Sequence, residues 1–164
     1  RLVAARLERP FFDSDELVKA ASGKSVREMV AEKGWGFFRR EEKRIVAELS
    51  EKDGSILALG GGAVLDEENV RNLKPGGLFI WLTADAERIL ERLNGDDKTR
   101  EQRPALEGKD LNEETRSLLK EREPFYSEIA DCRVDTSERN MEEVAAEIIR
   151  ILGGEAGSRF REKQ

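Results

Sequence analysis

At 164 residues the chain suits one domain with a single substantial core. Hydrophobic residues make up 38% and charged residues 39%, the balance of an α-rich or α/β protein with heavily charged helix surfaces. The net charge of −6, without any Lys/Arg block, argues against nucleic acid as a partner, and no apolar run nears the roughly 20 residues of a membrane helix. Histidine is absent, which removes His-based acid–base chemistry and the commonest zinc ligand. The single cysteine, Cys132, excludes an internal disulfide and fits a reducing compartment, so the cytoplasm is expected.

Arg1-Leu2-Val3-Ala4-Ala5-Arg6-Leu7 reads as the middle of a helix without a cap. Pro10-Phe11-Phe12 predicts a short strand running into Asp13-Ser14-Asp15. Two carboxylates at the carboxyl end of such a strand can hold Mg²⁺ through water and orient a substrate hydroxyl; equally, Ser14 or Asp15 can cap the next helix. Gly23-Lys24-Ser25 mimics the end of a phosphate-binding loop. The glycine needed five positions earlier is Val18, however, and a helical stretch precedes it, so Ser25 is expected to cap a helix with Glu28.

Helical patterns cover 25–33, 37–52, 84–94, 112–122 and 141–152. Phe38-Arg39-Arg40-x-Glu42 opens the second of these. Arg39 there either forks onto a substrate carboxylate while Glu42 holds it, or forms an ordinary surface pair with Glu42. Ile56-Leu57-Ala58-Leu59 predicts a buried strand ending in Gly60-Gly61-Gly62, where backbone N–H groups can approach a ligand or the chain merely turns. Leu78–Leu82 predicts another strand, with Thr83 as a helix cap, and Arg133–Thr136 a weaker fourth.

Strand–helix alternation implies a parallel sheet covered on both faces, an α/β fold. The polar segment from Asn94 to Asn112 carries Arg103-Pro104, and Arg92 ends the helix before it. Arg103 is either a lid arginine that closes over phosphates or a solvated one. Arg122, before Pro124, can serve a helix C-terminus by its charge alone. The tail from Gly153 is expected to fray.

The order of these motifs resembles the shikimate kinases. It runs Asp-x-Asp, Gly-x-Ser, Gly34-Trp35-x-x-Phe38-Arg39-Arg40, Gly60-Gly61-Gly62, Gln102-Arg103-Pro104-x-Leu106 and Arg122-Glu123-x-x-Tyr126, and is similar to the type II form. The resemblance implies a P-loop kinase-like three-layer sandwich of the nucleoside-monophosphate-kinase kind over 1–152, with a lid at about 95–110 and a tail at 153–164. It implies phosphorylation of shikimate by ATP and Mg²⁺, in aromatic amino acid biosynthesis, by a monomer.

By the same resemblance Asp15 would bind the shikimate hydroxyls and position, or take the proton from, the attacking one. Asp13 would hold Mg²⁺ through water. Arg39 and Arg122 would clamp the carboxylate, with Glu42 orienting Arg39. Gly60, Gly61 and Gly62 would line the substrate, Gly61 and Gly62 through backbone groups. Arg103 would reach the ATP phosphates, Arg92 would assist near the nucleotide, and Arg139 would flank adenine. The family also carries a first strand and a Gly-x-x-x-x-Gly-Lys-Ser/Thr loop that this sequence lacks. Roughly 15–20 residues upstream of Arg1 are therefore expected, and an intact mass equal to 18.6 kDa would refute that. A non-catalytic relative of the same fold, or a related kinase acting on a polyol acid such as gluconate, is the alternative reading.

Overall fold

The computed structural model describes residues 1–95 and 111–154. Helix α1 (Leu2–Arg6) precedes β1 (Phe11–Asp13), which runs into α2 (Ser14–Ser22), α3 (Val26–Lys33) and α4 (Trp35–Ser50). Strand β2 (Ile56–Ala58) leads through the glycines into a 3-10 turn (Ala63–Leu65) and α5 (Glu67–Leu73). After β3 (Ile80–Thr83) come α6 (Ala86–Asn94), α7 (Leu111–Ile129), β4 (Cys132–Asp135) and α8 (Met141–Gly153). No helix among the described residues is long and apolar enough to cross a membrane.

Local chemistry sets most of these boundaries. Asp13 ends β1 in extended backbone, and its carboxylate accepts from the N–H groups of Asp15 (3.0 Å) and Glu16 (3.2 Å), so the cap of α2 is Asp13 rather than Ser14 or Asp15. Gly23 closes α2 at φ +70°, a left-handed position that suits glycine. Ser25 then starts α3 in a capping box: its Oγ accepts from Glu28 N, and Glu28 Oε2 accepts from Ser25 N at 2.7 Å. Gly23-Lys24-Ser25 is thus a helix–helix junction.

Among the described residues the strands form two pairs, each parallel as expected, rather than one continuous sheet. Phe11 stands opposite Ile56 and Asp13 opposite Ala58; Ile80 stands opposite Cys132 and Thr83 opposite Asp135. No ladder joins β2 to β3 among the described residues, and this is the gap where the resemblance sets a further strand. Among the described residues β2 and β3 have one strand partner each; β2 is half-buried instead of fully buried, and Leu82 is 52% exposed. Apolar packing still spans the gap. Leu57, Leu59 and Phe79 rest together on Val46, Ala63 and Leu73.

Two local expectations are corrected, and one helix went unread. Thr83 is the last residue of β3; Asp85 precedes α6 without a side-chain cap, and the Thr83 carbonyl instead accepts from Thr136. Helix α7 does not stop before Pro124 but runs through it to Ile129, so Arg122 stands inside a helix, not at its C-terminus. Pro124 forgoes one backbone hydrogen bond, but the next turn is anchored where Tyr126 meets Trp81 and Gly61. Helix α5 was not read from the sequence, although Asp66 caps it with Glu67 and Glu68 following.

Candidate active site

Helix α4 shows why one acid sits where apolar residues belong. Phe38, Glu42, Ile45, Val46 and Leu49 form its buried stripe at helical spacing. Glu42 is 1% exposed, and a carboxylate there needs a cation. Arg39, one turn earlier, supplies it through Nη1 at 2.5 Å. The guanidinium lies 5.6 Å from the centre of the Trp35 ring and 5.2 Å from that of Phe38, which holds it in place. This is not a surface ion pair. Burial pushes the Glu42 pKa up, and the hydrogen bond and charge of Arg39 pull it back.

The cap geometry of α2 delivers the second part. Asp13 and Asp15 stand close enough that, after burial, the Asp13 charge is the main reason the Asp15 pKa is raised; Arg39 and a hydrogen bond with Ser14 oppose it. Between the two acids Ser14 is fully buried, and its Oγ accepts from Gly60 N–H at 2.9 Å. That bond ties the first helix turn to the glycine turn.

Each glycine of that turn faces a different side chain. A Cβ on Gly60 would overlap the Asp15 carboxylate, and one on Gly62 would overlap the Arg39 guanidinium. On Gly61 it would stand 3.0 Å from Tyr126 Oη and 3.4 Å from Arg122 Nη1. None of the three has positive φ, so close approach, not backbone conformation, explains them. Arg122 has no acidic partner among the described residues. Asp13, Asp15, Arg39, Glu42, Gly60, Gly61, Gly62 and Arg122 therefore come together, with two guanidinium groups beside the same turn, only that of Arg39 having an acidic partner among the described residues.

Arg92 and Arg139 are placed elsewhere, around the loop after β4. Arg92 donates to Thr136 Oγ1 (2.8 Å) and to the Thr136 carbonyl (2.6 Å), while Arg88, one turn earlier, donates to the Ser137 carbonyl (3.1 Å). Arg139 is exposed on that loop. Arg103 lies outside the described residues, as do the proposed lid beyond Gly95 and the tail beyond Gly154. The sequence offered Ser14 only as a helix cap and gave no role to Asn69 or Tyr126. For Tyr126 a signal was present: it follows Arg122 by four residues, the spacing that puts both on one helix face.

The donor set suits Mg²⁺. Among the described residues no three acidic, Cys or His side chains converge, but Mg²⁺ keeps waters and needs only one or two carboxylates beside phosphate oxygens. Asp13 spends Oδ1 on the cap, while its Oδ2 has no partner among the described residues and lies next to a second carboxylate whose raised pKa a cation would relieve.

Residues 1–153 match the shikimate kinase family. The chain is 42% identical to the shikimate kinase of Syntrophus aciditrophicus, covering 90% of this chain and 80% of that one. It is also 42% identical to that of Symbiobacterium thermophilum, covering 93% and 86%. The chain belongs to the shikimate kinase family. Its fold agrees: a shikimate kinase from Acinetobacter baumannii, solved in complex with shikimate, superposes with a TM-score of 0.84 at 30% identity, over 93% of this chain and 83% of that one. The Aquifex aeolicus shikimate kinase gives 0.75 at 32% identity, over 94% and 88%. Membership makes the chain an ATP-dependent phosphotransferase of P-loop kinase fold, and neither alternative reading gains support from these relatives.

Proposed function

We propose that this chain moves the terminal phosphoryl group of ATP onto a ring hydroxyl of shikimate, giving ADP and shikimate 3-phosphate. The observation that carries this reading is the convergence of Arg39, Arg122 and the Asp13–Asp15 pair on one glycine turn. A rigid hydroxy acid needs a cationic clamp at one end and a carboxylate near the reacting hydroxyl at the other.

In this reading Arg39 and Arg122 hold the shikimate carboxylate, and buried Glu42 keeps Arg39 in its rotamer. Asp15 accepts a hydrogen bond from the attacking hydroxyl and takes its proton as the new P–O bond forms. Gly61 and Gly62 donate backbone N–H groups to the substrate. Asp13 would hold Mg²⁺ through water, where the ion neutralises charge on the ATP phosphates. Arg103 reaches the phosphates, and Arg92 and Arg139 flank the nucleotide. Phosphoryl transfer asks for positioning and charge neutralisation more than for a strong base, so the absence of histidine is no obstacle. We also place the protein in the cytoplasm as a monomer over 1–152, to be checked by cell fractionation and light scattering.

The test is ADP release from ATP and Mg²⁺ with and without shikimate. Release that depends on shikimate is expected, and release indifferent to shikimate would refute the reading.

A further inference from the structure

We propose that Tyr126 is a positioning residue whose hydroxyl fixes the Gly61–Gly62 peptide and so keeps the N–H donors of the glycine turn presented to the substrate. This rests on the shikimate reading above. The hydroxyl donates to the Gly61 carbonyl at 2.7 Å. The ring is held by Trp81 of β3, with centroids 5.8 Å apart, so the hydroxyl has a fixed base. In a trans peptide the C=O and the following N–H point to opposite sides, and no cis bond occurs among the described residues. Fixing the Gly61 carbonyl therefore fixes the direction of the Gly62 N–H.

The rest of the turn shows what this hydrogen bond adds. Gly60 N–H is held by buried Ser14, and the Ala63 carbonyl accepts from buried Asn69 Nδ2 at 2.8 Å. Between these two anchors, the Gly61 and Gly62 N–H groups have no partner among the described residues. Two adjacent glycines without side chains can rotate their shared peptide easily. Tyr126 is the side chain that holds that peptide. Arg122, one turn earlier on α7, borders the same glycine, so a single helix face delivers both the cation and the brace.

Tyr126→Phe deletes the hydroxyl and keeps the ring on Trp81. Shikimate binding is measured by calorimetry without nucleotide for wild type and variant, beside ADP binding and thermal unfolding without ligand. The shikimate Kd should rise about 3- to 10-fold, the range of one neutral hydrogen bond, while the ADP Kd and the unfolding temperature hold. Gly61→Ala approaches the same contact from the other partner. It should weaken shikimate binding too, and it decides the matter if the first variant does not fold. Unchanged shikimate affinity overturns the proposal and leaves the function reading intact. A lower unfolding temperature with unchanged affinity reduces Tyr126 to a structural role and also overturns it. A wild type that binds no shikimate overturns the function reading and this proposal together.

Discussion

Burial raises the pKa of Asp15 and the neighbouring Asp13 charge raises it further, so ionising this carboxyl costs more in the folded chain than in the unfolded one. A carboxyl with a raised folded pKa favours the fold while protonated and weakens it as pH rises from the ordinary carboxylate range through the folded value. Asp15→Asn should therefore raise the unfolding temperature at pH 7 by a few degrees, with the gain vanishing near pH 4. The same variant should lose about 10²-fold or more in shikimate-dependent turnover if, as proposed, Asp15 takes the proton of the attacking hydroxyl. Thermal scans across pH check the first part, and a variant less stable than wild type at pH 7 would contradict it. Glu42 presents the complementary case. Glu42→Gln keeps the volume but takes the charged partner from Arg39, so shikimate affinity should fall about tenfold with ADP affinity unchanged. Equal weakening of both ligands would show that Glu42 does not act through the carboxylate clamp.

The glycine turn and the helices around it were legible to different degrees. Capping chemistry is local, so Ser25 with Glu28 could be read directly, and the ends of α3 followed. Pro124 misled because its cost is local while its compensation, Tyr126 on Trp81 and Gly61, comes from residues far apart in sequence. The three glycines pointed to close approach, but not to what approaches; that required α2, α4 and α7 in place. Two alanine substitutions separate the kinds of crowding. At Gly62 the added Cβ meets the guanidinium end of Arg39, a side chain that can shift only at some cost to its pair with buried Glu42, so Gly62→Ala should bind shikimate poorly and lose less stability than a clash with backbone would cause. At Gly77 the Cβ would stand 2.7 Å from the Leu73 carbonyl, which is backbone and cannot yield, so Gly77→Ala should lower the unfolding temperature and spare affinity in the protein that remains folded. Calorimetry beside thermal scans reads both, and a reversal of the two patterns would refute the assignment.

Across the whole molecule, strand–helix alternation gave the parallel α/β order, because parallel neighbours need a crossover and the apolar runs marked the strands. The pairing of strands was less accessible: short strands carry little register information, and partners such as Thr83 and Asp135 are brought together only in the folded chain. Among the described residues, packing is what joins the two strand pairs. Val46 is fully buried in a cluster with Ala63 and Leu73, against which pack Leu57 of β2, Leu59 just after it and Phe79 just before β3. A side chain shared by both halves should couple their unfolding. Val46→Ala removes two methyl groups there and is expected to cost about 2 kcal/mol, a drop of roughly 4–8 °C in one cooperative transition. Met141→Ala, at a side chain 82% exposed, serves as the control and should change stability by no more than about 0.5 kcal/mol. Calorimetric unfolding of the two variants is the measurement. If wild type already melted in two steps and Val46→Ala shifted only one of them, the cluster would belong to one half alone, and the apolar contact between β2 and β3 would not couple the halves.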